Sequence, residues 1–573
     1  MSCALELLAP ELITRIALFV IEDGEPLGPP SSILSLTVTN RTLYQKLSLN
    51  ENSALLADIF RIKFDTSVIK RRFCECNLTS TNLAVELKKR CLVLRRIRSG
   101  LLSEKTAAND LWEAYLMLLE NVRWNEMQLM DWARLPSFLV AYLEANKNDG
   151  NLDSMGKALA VSLLWMTSTA ESLLSESQKD RDFILSVLQP LIVGGFCNTN
   201  FYIPESAFRT YRGDPGSHLK RVSISHFGQE IDLSVPTSIH SAFLAMVVRL
   251  DFDSKSQKVL GLSSDFVNRA LTNLIRDVGD INEDTTERIA DTLLLPRVRQ
   301  INPSNIQRIP SPRYLTSSQD DLEWSRLRGL TPQNHLFDTG PFVPGHLTGL
   351  WAGKLMIPEL QAYRAYLAGA SDSSPARVDM YQTSLYMRFG EHFCFQDDTP
   401  VPSGSELGET DDHLNAWLPR TYSFIEDRRG QFLDIHDGSR RRDVRYKTYQ
   451  SHKVRGETST QVTTENGSAD FSQANHDFNT NGIVDIIVTG ETEQRHGTDW
   501  GHFRIIGRIR PQDGLIILRR SPANSDESWL GTWVFRGYVL STGLFVGRWR
   551  EATSGRAIPI LEGPFLLMKQ TGD

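Results

Sequence analysis

The spacing of apolar residues changes once along the chain, and this change constrains the fold more than any other feature. From residue 82 to about residue 300, apolar side chains recur at helical spacing, as Leu83, Leu87 and Leu94 do. After about Asp321, apolar residues alternate with others in short segments, which is the period of a β-strand. The pattern predicts an α+β chain with helices in front and an antiparallel sheet behind.

The β segments are short, and turn signals separate them. In SLYMRFGEHFCFQ, Leu385, Met387 and Phe389 share one parity, and Asp513-Gly514 is typical of a tight hairpin. Glycines inside these segments fit sharp bends where a sheet curls on itself; they are Gly353, Gly507, Gly537 and Gly547. Consecutive antiparallel strands that return to the first strand predict an up-and-down β-barrel.

The chain begins with a group of short helices. Pro10 fits the first position of a helix, where its missing N–H costs nothing, and Glu11 in the first turn suits the helix dipole. Leu12 and Ile16 follow at helical spacing. About sixty residues of short helices bury too little surface to be very stable alone. These helices therefore need a covering surface, either the rest of this chain or a partner protein.

The segments LAPELITRIALFV, SILSLTVTNRTLYQKL and ALLADIFRIKFD together resemble an F-box, and ADIFRIKFDTSVIKRRF is similar to fungal F-box proteins in particular. The chain departs from the family pattern in three places. Ala9 is an extra residue before the proline, the loop 22–30 is long, and Asn40-Arg41 replaces the usual Val-Cys-Lys/Arg core. The resemblance implies contact with a Skp-family adaptor through Leu8, Pro10, Glu11, Leu12, Ile16, Leu34, Leu36 and Leu43.

A second resemblance lies at the other end of the chain. The motifs GLWAGKL, GRWRE and GPFLLMK resemble a lipocalin-type barrel, and certain F-box receptors, including the one that targets cyclin D, carry such a barrel at the C-terminus. This order implies a substrate receptor of an SCF-type cullin–RING ubiquitin ligase, with the barrel binding the protein substrate. The residues expected at the lining or rim of the barrel are Trp351, Arg504, Arg508, Trp533, Arg548, Trp549 and Arg550.

Three domains follow from these observations. The F-box would span residues 1–65, an all-α linker domain residues 66–310, and the barrel residues 311–573. A stretch rich in proline and serine, 302–320, marks the last boundary. The polar segment 450–482 has few apolar residues and is expected to be a flexible insertion between strands.

Composition excludes several classes of partner. The chain has 573 residues and a net charge of −7, which disfavours nucleic acid because phosphate binding needs a basic field. No apolar run reaches about 18 residues, so no membrane-spanning helix is expected, and no signal peptide is recognisable. The six cysteines are scattered, as expected of reduced thiols in a cytoplasmic or nuclear protein.

The sequence contains no nucleophile elbow, phosphate-binding loop or metal-binding helix motif. We therefore expect a non-catalytic subunit without cofactor or metal. The histidines in DDHL (411–414) and DIHDG (434–438) lack a matching third ligand. A basic stretch could read an acidic or phosphorylated degron or be a solvated loop; it comprises Arg428, Arg429, Arg440, Arg441, Arg442, Arg445 and Lys447.

Two other functions remain open. The barrel could bind a small apolar ligand without any ligase role, since a barrel of about eight strands can hold one small group. In that case the N-terminal helices would only dock to the rest of the chain. A hydrolase would need a catalytic constellation that the sequence does not display.

Overall fold

The computed structural model describes most of the helical front and most of the β-rich rear. The described residues are 8–24, 26–47, 52–73, 77–102, 104–146, 155–193, 211, 221–236, 238–256, 320–328, 342–359, 363, 380–395, 398–404, 407, 412–438, 443–450, 482–511, 513–540, 543–552 and 561–570. All statements below concern these residues.

The front of the chain is helical. Its helices are α1 (Pro10–Gly24), α2 (Ser31–Thr39), α3 (Arg41–Lys46), α4 (Ser53–Lys63), α5 (Ser67–Arg72), α6 (Ser80–Ser99), α7 (Glu104–Leu119), α8 (Trp124–Met127), a π-helical turn (Gln128–Trp132), α9 (Leu135–Ala145), α10 (Met155–Met166), α11 (Ala170–Ser175), α12 (Gln178–Val193), α13 (Ser238–Ser256) and α14 (Asp321–Arg328). A hairpin of β1 (Arg221–His226) and β2 (Gln229–Ser234) lies between α12 and α13.

Local sequence signals explain where several of these helices begin and end. Pro10 opens α1, as its fixed φ favours. The side chains of Asn40, Asn52 and Thr79 accept a backbone N–H in the first turn of α3, α4 and α6, which satisfies donors that have no partner inside the helix. Gly100 ends α6 with φ of 66°, a left-handed conformation that glycine adopts without strain.

The described rear of the chain is a sheet with one short α-helix, α15 (Gln494–Trp500), and two 3₁₀ helices, Asp412–Asn415 and Ser525–Leu530. Its strands are β3 (Gly349–Pro358), β4 (Met380–Phe395), β5 (Tyr422–Glu426), β6 (Phe432–Asp437), β7 (Asp443–Thr448), β8 (Ile483–Glu491), β9 (Phe503–Ile509), β10 (Ile516–Pro522), β11 (Trp533–Leu540), β12 (Leu544–Glu551) and β13 (Glu562–Lys569). Eight of them close an antiparallel barrel in the order β3, β13, β12, β11, β10, β9, β8, β4 and back to β3. Strands β5–β7 extend this sheet from the far end of β4.

Apolar side chains fill the lumen of the barrel. Inward-facing residues from every barrel strand form one buried cluster, which includes Trp351, Leu355, Leu385, Met387, Phe389, Val488, Ile505, Ile509, Ile516, Leu518, Phe535, Phe545, Trp549, Phe565 and Leu567. Glycine is required where strands approach closely. A Cβ on Gly353 or Gly547 would lie 2.0 or 2.1 Å from a carbonyl oxygen of the neighbouring strand, far inside van der Waals contact.

The helical front packs directly on the outer face of the barrel. Met356, Leu544, Val546 and Leu566 point outward from β3, β12 and β13 and belong to the same buried cluster as the helices. The guanidinium of Arg548 also donates a hydrogen bond of 2.7 Å to the carbonyl oxygen of Ile192 in α12. The two halves therefore share a core across β3, β12 and β13.

The predicted α+β architecture is confirmed, with helices in front and a closed antiparallel barrel behind. The β1–β2 hairpin was not predicted; it adds two strands to the region expected to be all helical. The boundary stretch 302–319 and the insertion 451–481 fall on residues that are not described, so these two predictions stay open. In the described part of the chain, no helix is both long and apolar enough to span a membrane.

Candidate functional site

One stripe of α1 carries large apolar side chains that the rest of the chain leaves exposed. Leu12 is 51% exposed, Ile16 38%, Phe19 63% and Val20 37%. Their spacing of three, four, seven and eight residues places them on one side of the helix. The stripe is long enough to present a continuous apolar edge to another molecule.

The next two helices extend this exposure. Leu34 and Val38 of α2 are 36% and 80% exposed, one helical turn apart, and Tyr44 of α3 is 53% exposed. Seven of the fourteen exposed large apolar side chains in the described residues thus fall between positions 12 and 44. We call Leu12, Ile16, Phe19, Val20, Leu34, Val38 and Tyr44 the apolar surface.

The opposite stripes of these helices are buried and fix their orientation. Ile13, Ala17 and Ile21 of α1, Ile33 of α2 and Leu43 of α3 are each at most 3% exposed and join the main helical core. Because one stripe of α1 is anchored in this core, the other stripe is held outward. The apolar surface therefore belongs to an ordered, packed unit.

The long loop between α1 and α2 is tied to the middle helices by one buried glutamine. The Gln128 side chain accepts a 2.6 Å hydrogen bond from the backbone N–H of Gly28 and donates to the carbonyl oxygens of Pro26 and Lys63. Gly28 has φ of 76°, and a Cβ there would lie 2.2 Å from the Trp132 ring. This loop is thus built into the packing of the helical front.

The structure places the predicted adaptor contacts unevenly. Pro10, Glu11, Leu12, Ile16 and Leu34 are exposed, Leu8 and Leu36 are half-buried, and Leu43 is buried. Phe19, Val20, Val38 and Tyr44 belong to the same surface, although the sequence analysis did not name them as contacts. The signal that could have found Phe19 and Val20 is their helical spacing from Leu12 and Ile16.

The three tryptophans predicted at the barrel point into its lumen. Trp351 and Trp549 are buried, and their Nε1 atoms donate to the carbonyl oxygens of Leu347, at 2.6 Å, and Met356, at 3.1 Å. Trp533 is half-buried and stacks on Trp549, with ring centroids 4.4 Å apart. Trp351 and Trp549 therefore contribute to the barrel core.

The four predicted arginines do not line the lumen. Arg508 is buried on the outer wall and forms an ion pair of 2.6 Å with Asp485. Arg548 faces the helical front, Arg550 is buried, and Arg504 is exposed. Neighbouring residues of a strand point to opposite faces, so the tryptophans and these arginines do not form one site.

The basic stretch is divided between a turn and a strand. Arg428 and Arg429 are exposed in the turn between β5 and β6. The Arg445 guanidinium in β7 forms an exposed ion pair of 2.6 Å with Asp434. Positions 440–442 are not among the described residues. Of the arginines that are described, Arg445 is therefore already engaged.

A buried group of charged residues lies where the β1–β2 hairpin meets α6 and α7, and the sequence analysis did not find it. His226 lies 2.5 Å from Glu120, which also pairs with Arg90 at 2.6 Å, and Lys89 pairs with Glu113 at 2.7 Å. Burial alone would raise the pKa of the Glu120 carboxyl, but His226 and Arg90 outweigh it and lower the pKa to about 2. The group fixes the hairpin to the helices.

Among the described residues, this group contains the one set of three side chains whose ligand atoms lie close enough together to hold a metal ion. Ligand atoms of Glu86, Glu113 and His226 lie within 4.8 Å of one another. The cations Lys89 and Arg90 lie directly against these carboxylates, which opposes binding of a further cation. The arrangement is better suited to an internal ion-pair network.

Comparison with protein-family models, with curated proteins and with solved structures gave no match. The chain itself shows a helical front with an exposed apolar surface and, behind it, a closed eight-stranded antiparallel barrel. Its function must therefore be inferred from these two features.

Proposed function

We propose that this chain is the substrate-recognition subunit of an SCF-type cullin–RING E3 ubiquitin ligase. In this proposal the first helices are an F-box that binds a Skp-family adaptor, and a lipocalin-type barrel binds the protein to be ubiquitinated. The observation that carries the proposal is the exposed apolar surface on α1–α3. It includes Leu12, Ile16 and Leu34, three of the residues that the F-box resemblance assigns to the adaptor.

The physical support comes from the cost of leaving this surface in water. Burial of apolar area contributes roughly 25 cal/mol per Å², and large clustered apolar patches on ordered helices mark interaction sites. Phe19 and Leu12, both more than half exposed, would each remove a large apolar area from water on binding, which favours association. An adaptor would cover the stripe of α1 that this chain leaves open.

The proposed subunit performs no bond chemistry. It would hold a substrate lysine near a ubiquitin-charged enzyme, so that catalysis by the complex rests on proximity. The direct packing of helices on the outer wall of the barrel supports this role, because a shared core fixes the direction in which a bound substrate would be presented.

The alternative of a small apolar ligand in the lumen gains no support from the described residues. Phe565 of β13 contacts Phe535 of β11 and Phe545 of β12 edge-on inside the lumen, with ring centroids 5.2 and 4.9 Å apart. Trp351 and Phe389 pack against the same group. These contacts place large apolar side chains inside the lumen, where such a ligand would have to bind.

The proposal is tested by capture of a purified Skp-family adaptor on the immobilised full chain. We expect the unmodified chain to retain the adaptor and the double variant Leu12→Asp, Ile16→Asp to lose at least about tenfold in affinity, because the carboxylates would be desolvated in the interface. Leu174→Asp is the matched control, since Leu174 is 73% exposed on α11 and lies outside the apolar surface.

Thermal unfolding of all three proteins separates lost binding from lost folding. Both variants should unfold close to the unmodified chain, because the substituted side chains are exposed. Failure of the unmodified chain to bind the adaptor, under conditions in which an established F-box binds it, would reject the ligase function.

A further inference from the structure

Arg520 occupies an unusual position at one end of the barrel. The inward-facing residues of β10 are Ile516 and Leu518, which belong to the luminal core, and strand alternation makes Arg520 the next inward residue. It lies two residues before the end of the strand and directly opposite Trp533 of β11. Its side chain therefore enters the lumen near the rim.

Among the described residues, the Arg520 guanidinium has an aromatic partner but no carboxylate partner. Its Cζ atom lies 3.4 Å from the centroid of the Phe503 ring. Its Nε atom is inaccessible to solvent and makes no hydrogen bond in the described structure. The surroundings lower the pKa of Arg520 through burial alone, without any contribution from a neighbouring acid. The group nevertheless stays cationic at neutral pH.

Three other arginines of the barrel, Arg508, Arg510 and Arg548, are buried and form ion pairs. Arg508 contacts Asp485 at 2.6 Å, and Arg510 contacts Asp513 at 2.6 Å. Arg548 contacts Glu562 at 2.8 Å. A cation that is partly removed from water gains from a counter-charge. Arg520 is half-buried and has no such counter-charge among the described residues, which distinguishes it from these three arginines.

This end of the barrel is partly open to solvent and carries aromatic side chains beside Arg520. Arg520 and Trp533 are both half-buried, and Trp533 stacks on Trp549. At the opposite end, the inward-facing Glu391 accepts three backbone N–H groups at 2.6–2.7 Å from the segment that covers the lumen there. One end thus satisfies its buried charge internally, whereas the other presents a cation that lies beside aromatic rings and has no ion-pair partner in the described part of the chain.

We propose that Arg520, flanked by Phe503 and Trp533, binds an oxyanion carried by a peptide segment of the protein that the barrel recognises. This inference rests on the proposed function and specifies the chemistry of its substrate. A guanidinium binds carboxylate or phosphate through two parallel hydrogen bonds, and partial burial strengthens such a pair relative to water. Trp533 offers a flat apolar surface for a residue next to the acidic one.

The test is selection of peptides from a random library displayed on phage, with the full chain as bait. We expect enriched peptides to carry Asp or Glu at a fixed position. One enriched peptide is then compared with a copy in which the acid is replaced by its amide. This replacement should weaken binding to the unmodified chain at least about tenfold. It should weaken binding to the Arg520→Gln variant less than about twofold. This double-mutant cycle isolates the contact between the two charges.

Arg519→Gln is the matched control, because Arg519 is half-buried on the adjacent, outward-facing position and donates to Asn415. It should retain the full preference for the acid. A synthetic copy of the enriched peptide with phosphoserine in place of the acid distinguishes phosphate from carboxylate as the preferred oxyanion.

Three results would overturn the inference: no enrichment, enrichment without an acidic position, or an equal loss for acid and amide peptides in Arg520→Gln. None of them affects adaptor capture through α1–α3, so the inference can fail while the proposed function stands. Conversely, loss of adaptor capture with an intact preference for acidic peptides would reject the ligase function and retain the Arg520 site.

Discussion

The helical front and the barrel use the same residue types in opposite ways. In the barrel, Phe535, Phe545 and Phe565 are completely buried in the lumen. On the front, Phe19 is 63% exposed and Val38 80% exposed. In the described residues, the front exposes a group of apolar side chains, and the rear holds a luminal arginine, Arg520, that has no ion-pair partner. The exposed apolar side chains and the luminal arginine, more than the well-packed regions, therefore indicate where each half would bind another molecule.

The largest expected change in stability comes from removing a buried aromatic ring from the lumen of the barrel. Phe565→Ala should lower the free energy of unfolding by about 3–5 kcal/mol, because it deletes a fully buried side chain and leaves a cavity. The matched change Phe19→Ala should alter it by less than about 1 kcal/mol, because Phe19 is mostly in water. Urea denaturation monitored by tryptophan fluorescence measures both values.

Equal losses for the two variants would contradict the comparison. A loss of several kcal/mol in Phe19→Ala would mean that Phe19 packs against this chain and is not available to a partner. A negligible loss in Phe565→Ala would mean that the lumen is loosely filled, which would revive the small-ligand alternative.

The division into a helical front and a β rear could be predicted from the sequence, because the spacing of apolar residues reports which face of an element is buried. The start of α1 could also be predicted, since Pro10 and Glu11 fit only the first turn well. The orientation of α1 in the fold could not be predicted from the sequence. Both Ile13-Ala17-Ile21 and Leu12-Ile16-Phe19 are apolar stripes, and only the tertiary packing decides which one is buried.

The barrel site was predictable in part. Alternation alone implies that Arg548 and Trp549 face opposite sides of β12, so the expected rim could not contain both. Arg520 could not be singled out, because only the folded barrel shows that no described carboxylate lies beside it. The β1–β2 hairpin was missed because its short alternating strands lie between long helical segments.

The buried charges inside the helical front should make the stability of the chain depend on pH. The pKa of Glu120 in the folded chain is about 2, because His226 and Arg90 outweigh the effect of burial, whereas an unfolded glutamate titrates near 4.3. A lowered pKa stabilises the fold above the unfolded value. That stabilisation, about 3 kcal/mol, should be lost as pH falls from about 4.3 to about 2.

Urea denaturation at a series of acidic pH values tests this expectation. Glu120→Gln should be less stable than the unmodified chain at neutral pH, because it removes the charge that faces Arg90 and His226. Its free energy of unfolding should also fall less steeply with acid. Identical acid dependence in both proteins would show that Glu120 does not couple folding to protonation.

The smallest expected change in the free energy of unfolding is at Val38. Its sign shows whether the Val38 side chain packs against this chain. Val38 is 80% exposed in α2, so Val38→Ala removes almost no packing and replaces a β-branched residue with the best helix former. The free energy of unfolding should rise by roughly 0.5 kcal/mol. Ile33→Ala, on the buried side of the same helix, should instead lower it by about 2–5 kcal/mol.

Opposite signs at two positions of one short helix would show that α2 has a packed side and a free side. In adaptor capture, Val38→Ala should then weaken binding despite the gain in stability, since the lost methyl groups would contact the adaptor and not this chain. A destabilised Val38→Ala variant would mean that the side chain already packs internally, and the apolar surface would have to be redrawn without α2.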